Sequence, residues 1–118
     1  DEVAKLCMQE GVSHVINNAY GLQCKKTCKL INRACTLGRV DAIVCSTDKN
    51  FLVPVGGAIV VSPKEEVIQN VGKVYPGRAS ASPIIDLFIT LLSMGLEGYS
   101  GLLSERNRLL PKFEKGFS

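Results

Sequence analysis

The lysine at position 49 follows a short apolar run and precedes a turn punctuated by proline and glycine. Val40, Ala42, Ile43, Val44 and Cys45 lead into Ser46-Thr47-Asp48-Lys49-Asn50-Phe51-Leu52-Val53-Pro54-Val55-Gly56-Gly57. Such a run suits a strand covered on both faces. Residues just beyond the carboxyl ends of such strands line the crevice where open α/β sheets bind ligands. An amine placed there and partly dehydrated has a lowered pKa and attacks carbonyls. Asn50 through Gly57 carries no charge that demands bulk water. Asp48 works in the opposite sense, since an adjacent carboxylate raises the amine's pKa unless it points elsewhere. The plain alternative is a solvated loop lysine.

Two further positions carry chemistry. Asn17 closes an apolar stretch and is followed by Asn18-Ala19-Tyr20-Gly21; a turn pair satisfying local backbone groups is its ordinary reading. Arg78 lies in Tyr75-Pro76-Gly77-Arg78-Ala79-Ser80-Ala81-Ser82-Pro83. A guanidinium recognises phosphate in a planar, bidentate way. Its small neighbours let backbone N–H groups approach an anion, and Ser82-Pro83 opens a helix whose positive end favours negative charge. An ordinary loop arginine before a helix cap is the other reading.

Taken together, I-N-N-A-Y-G, S-T-D-K-N-F-L-V-P-V-G-G and Y-P-G-R-A-S-A-S-P, in this order and spacing, resemble the O-phosphoseryl-tRNA(Sec) selenium transferase family over nearly the whole chain. The resemblance implies part of the large domain of an aminotransferase-like (fold type I) enzyme dependent on pyridoxal 5'-phosphate. It makes Lys49 the residue that carries the cofactor covalently and moves the substrate's Cα proton. It sets Asn17 against the pyridine nitrogen, where most relatives of this fold use aspartate. It assigns Arg78 to the phosphate of the phosphoseryl group. The implied reaction expels phosphate from phosphoseryl-tRNA(Sec) and adds selenium from selenophosphate, in a complete enzyme that is a homo-oligomer. A non-catalytic interaction or antigenic module of that lineage and another fold type I lyase are the alternatives; Asn17 and P-G-R-A-S-A-S-P argue against the latter.

Composition is compatible with one domain at most. The chain has 118 residues, 46% hydrophobic, and a net charge of +3, too weak by itself to argue for nucleic acid. The apolar stretch Pro83 to Met94 contains Asp86 and reads as too short to span a bilayer. The acidic Asp1-Glu2 start is unlike a signal peptide, so a cytoplasmic protein is expected. Five cysteines cannot all close into disulfides. Cys24, Cys28 and Cys35 share a helical face, and with no C-x-x-C pair and one histidine they read as buried free thiols rather than metal ligands. The abrupt start inside a helical pattern suggests a piece of something longer, and no segment suited to holding the cofactor phosphate is apparent.

The elements that must position these groups follow from periodicity and punctuation. A helix is expected up to Gln9, stopped by Gly11, then a strand over Val12 to Ile16. A second helix from Gln23 to Leu37 turns Cys24, Cys28, Leu30, Ile31, Ala34, Cys35 and Leu37 inward and Lys25, Lys26, Lys29 and Arg33 outward. That basic face could meet tRNA phosphates, but no aromatic residues interleave with it and a solvated face is the simpler reading. Strands over Val40 to Cys45 and Gly57 to Val61 complete a partial sheet with parallel pairs. Ser62-Pro63-Lys64-Glu65 reads as a capping box opening a helix that weakens near Gly72. Ser82 caps a helix to Met94 that is apolar on nearly every side and should be buried all round. Gly95 ends it, a helical segment from Leu96 to Leu110 follows, and residues 111–118 form a polar tail after a domain portion over 1–110.

Overall fold

The computed structural model describes residues 1–75, 77 and 80–117. Three strands form one mixed sheet in the order β1-β2-β3, with β1 at Val15–Asn17, β2 at Ala42–Ser46 and β3 at Ala58–Val61. β1 and β2 are parallel and pair Val15 with Ala42, Ile16 with Ile43 and Asn17 with Val44. β2 and β3 are antiparallel, from Ile43 opposite Val61 to Ser46 opposite Ala58. The expectation of parallel pairs therefore holds for one of the two. Parallel return needs a long crossover, whereas residues 47–57 contain only the single turn α3 (Thr47–Asn50). The first strand is also shorter and later than Val12 to Ile16.

α1 (Glu2–Gln9) and α2 (Lys25–Leu37) pack on each other and share one buried cluster with β2, with a 3-10 turn at Gly21–Gln23 before α2. The core is small: Ala4, Ala34, Val40, Ile43 and Cys45, lined by Ile16, Leu22, Ile31 and Cys35. Of the predicted inner arc of α2, Cys24, Leu30 and Leu37 are exposed, because the sheet beneath is too narrow to cover them. All five cysteines are free thiols, and only Cys45 is buried. Among the described residues no group of three or more His, Cys, Asp or Glu could hold a metal ion.

Gly38 is needed for close approach rather than for a left-handed turn. It is extended, and a Cβ there would come within 2.3 Å of the Ala4 carbonyl carbon. This contact brings Arg39 N within 2.8 Å of Ala4 O and closes α1 against the end of α2. Beyond it Asp41 accepts hydrogen bonds from His14 N (2.8 Å), Arg39 Nε (2.8 Å) and Lys64 Nζ (3.2 Å). The Arg39 guanidinium beside it, helped by His14 N–H, holds the Asp41 carboxyl well below the usual carboxylate range.

α4 is Glu65–Val74 and α5 is Ser82–Lys115. The capping box does not form: Ser62 Oγ accepts from Lys64 N at 2.9 Å and donates to Asp41 O at 2.6 Å, so the hydroxyl is spent before the helix begins. α4 also continues through Gly72. Likewise Ala81, not Ser82, occupies the cap of α5. Gly95 does interrupt α5, with φ 61° and ψ −177°, but helix resumes and runs through Pro111 to Lys115.

The expectation that the helix after Ser82 is buried all round is overturned. Ile84, Ile85, Phe88, Ile89, Leu92 and Leu96 are all more than half exposed. The physical reason is the narrow sheet, which offers these side chains nothing to pack against. By length and composition α5 is also long and apolar enough to cross a membrane, against the reading of Pro83 to Met94 alone as too short. Its two halves are nevertheless offset by the Gly95 break.

Candidate functional site

Parallel pairing brings the carboxyl ends of β1 and β2 to the same edge. Asn18 N donates to Val44 O at 2.8 Å, so the loop after β1 and the α3 turn after β2 start side by side. That is the crevice position expected of ligand sites in such sheets.

Lys49 sits on α3 with its side chain about one-third exposed. Nζ lies 2.7 Å from Asp48 Oδ2 and 5.6 Å from the centre of the Tyr20 ring. The hydrogen bond that the amine donates to Asp48 pushes its pKa up, and burial offsets this only in part. In this state Lys49 is an ammonium in an ion pair, not the dehydrated free amine expected from its uncharged surroundings. To attack a carbonyl it must release Asp48 and a proton.

The sign of the effect gives a prediction. A raised lysine pKa means that the ion pair is present at neutral pH and is lost as pH rises through the folded-state value. Asp48→Asn should therefore move the pH midpoint for modification of Lys49 by an amine reagent downward. Peptide mapping of the complete enzyme, labelled after removal of its cofactor, reads this, and an equal or higher midpoint contradicts it.

Asn17 ends β1 with its residue exposed and, among the described residues, no hydrogen-bond partner for its carboxamide. Its neighbour Asn18 is buried and reaches β2 instead of local backbone, with Nδ2 3.8 Å from Cys45 Sγ. Asn17 is thus free to meet a ligand at the edge where Lys49 lies.

Arg78 lies outside the described residues, with Pro76 and Ala79. The described residues on either side of it meet the segment that follows the α3 turn. Tyr75, Ser80, Pro83 and Ile84 line a cavity of about 420 Å³ with Gly56, Gly57 and Ala58. Gly57 is the close contact there: a Cβ would come within 2.5 Å of Thr47 Oγ1 and 2.7 Å of Pro83 Cβ. Its bare backbone lets α3 and the start of α5 both approach it, and Gly57 O accepts from Thr47 N at 3.1 Å.

Sequence reasoning missed one group that faces the amine and three that brace the turn carrying it. Tyr20 faces the Lys49 amine, and its place three residues after Asn17 was the available signal. Asn50 is fully buried, and Gln23 and Tyr99 bond to its carbonyl, at 2.9 and 2.7 Å. No local pattern announces these, since they join segments up to 49 residues apart. Just beyond, Leu52 has a φ of 58°, a costly conformation for a side chain with a Cβ. It is held there by Phe51 stacked on Tyr99 at 5.8 Å and by the buried Val53. On α2, Lys25, Lys26 and Lys29 are solvent-exposed, while Arg33 is tied to Asp1 at 2.7 Å.

Comparison with known proteins places these features in a family. Residues 1–117 match the model of O-phosphoseryl-tRNA(Sec) selenium transferase, SepSecS. A protein of that name from Dictyostelium discoideum is 55% identical over 117 residues, covering 99% of this chain and 24% of the relative. One from Methanopyrus kandleri is 53% identical over 102 residues, covering 86% and 24%. The crystal structure of an archaeal O-phosphoseryl-tRNA(Sec) selenium transferase superposes with a TM-score of 0.84 at 38% identity, covering 98% of this chain and 28% of that one. The chain spans about a quarter of the length of the curated relatives it matches.

Proposed function

Because the chain belongs to the O-phosphoseryl-tRNA(Sec) selenium transferase family, we propose that it supplies the lysine-bearing part of a pyridoxal-phosphate-dependent enzyme. That enzyme converts O-phosphoseryl-tRNA(Sec) to selenocysteinyl-tRNA(Sec), using selenophosphate, in the cytoplasm. The mixed sheet with helices packed on it is read as part of a fold type I large domain.

One observation carries the reading: the Lys49 amine faces Tyr20 at the strand edge that also presents the unpartnered carboxamide of Asn17. These residues fit the cofactor's chemistry. An amine suits its aldehyde, and a neutral amide can hold its ring nitrogen without enforcing protonation. Pyridoxal phosphate, when bound, supplies an electron sink that makes the substrate's Cα proton acidic. Lys49 would hold the cofactor and, once released from it, take the Cα proton as phosphate leaves Cβ. Arg78 would bind that phosphate. The selenium of selenophosphate would then bond to Cβ as the proton returns to Cα, and water would cleave its Se–P bond, releasing phosphate and leaving the selenol.

The exposed apolar residues of α5 fit the same reading, as surface covered by the rest of a chain four times longer or by further subunits. We assign no tRNA contact to the basic face of α2.

The test is borohydride reduction of the complete enzyme with pyridoxal phosphate, followed by peptide mapping. A single adduct on Lys49 is the expected result. An adduct on another lysine, or none, overturns the assignment.

A further inference from the structure

Asn50 ends α3 directly after Lys49 and is fully buried. Its Nδ2 lies 2.7 Å from Ala19 O and 2.7 Å from Ser46 O. One amide nitrogen carries two hydrogens, so both bonds form at once. The two carbonyls belong to different segments: Ala19 is two residues past Asn17, and Ser46 is three before Lys49. On its other side the Asn50 carbonyl accepts from Tyr99 Oη and Gln23 Nε2, and Arg106 in turn holds Gln23. A single residue therefore joins the two strand ends to each other and to the second half of α5.

We propose that Asn50 is a positioning residue whose carboxamide sets the spacing between Asn17 and Lys49. The inference rests on the proposed function for the identity of what those two residues hold. Asn50 has no exposed surface and acts only through its neighbours. Asparagine is specified because no other side chain of that length offers two hydrogens from one atom. Aspartate has none to donate and sets a negative charge against two carbonyl oxygens in a buried place.

The experiment uses the complete enzyme stripped of cofactor and titrated with pyridoxal phosphate. It reads the dissociation constant and the pH midpoint of the bound cofactor's visible absorption band. Asn50→Asp should weaken binding about 10- to 100-fold, as loss of two buried hydrogen bonds implies, and displace the midpoint. Asn50→Ser, which keeps a donor for one carbonyl, should fall between and decides the matter if the aspartate variant does not fold. Tyr99→Phe removes a bond to the same residue outside the bracket; it should lower thermal stability but leave both readings at parental values. Parental affinity and midpoint in Asn50→Ser overturn the proposal, as do changes in Tyr99→Phe equal to those in Asn50→Ser. Mapping of the borohydride adduct in the parent separates the two failures. An adduct absent from Lys49 removes the cofactor reading, whereas one on Lys49 with unperturbed Asn50 variants removes only the bracket.

Discussion

Turnover by the complete enzyme carrying Lys49→Ala is expected to fall by about 10⁴-fold or more, since proton transfer by a positioned base alone contributes up to that factor. Two functions are lost together. On the proposed role, the methyl group would not hold the cofactor, and nothing would replace the amine as proton acceptor at Cα. The geometry gives the variant a particular signature. Lys49 makes an ion pair with Asp48 and faces Tyr20 on an exposed rim, and the buried neighbours Thr47 and Asn50 carry the local packing. The fold should therefore survive, with thermal stability within about 1 kcal/mol of the parent, as for a surface ion pair. Kinetics and absorbance on the folded variant check this together. Retained turnover, or a persistent cofactor band, contradicts the role.

Arg78→Ala is expected to lower the preference for phosphoseryl-tRNA over seryl-tRNA by about 10- to 100-fold, the value of one or two hydrogen bonds to a charged group. The loss should appear in kcat/KM for the phosphorylated substrate, with the cofactor band unchanged, because Arg78 is assigned to substrate and not to cofactor. Arg78→Lys should recover only part, since an ammonium keeps the charge but not the planar pair of donors. Equal discrimination in Arg78→Ala and parent removes the assignment. The reason to test it is the resemblance carried by the P-G-R-A-S-A-S-P segment.

Much of the site was legible because its signals are local. The apolar run before Ser46, the uncharged turn after Lys49 and the spacing of three motifs mark the strand edge of the candidate site and the family without any long-range information. The ionisation of Lys49 was not legible to the same degree. Whether Asp48 points at its neighbour depends on side-chain direction in a four-residue helix, and in the folded chain it does, at 2.7 Å.

By itself, then, the sequence determined where the three strands, α1, α2 and α4 lie to within a few residues, that Gly95 breaks α5, and which amine stands beyond β2, but not the α3 turn or the helix continuing through Pro111 to Lys115. These follow from hydrophobic period and backbone freedom, both properties of neighbouring residues. The tertiary structure alone decided that β3 runs antiparallel, that α5 lies uncovered, and that Asn50 binds the two strand ends together. Such outcomes turn on which distant segments meet and on how much surface is available to bury, and no short window of residues contains either quantity.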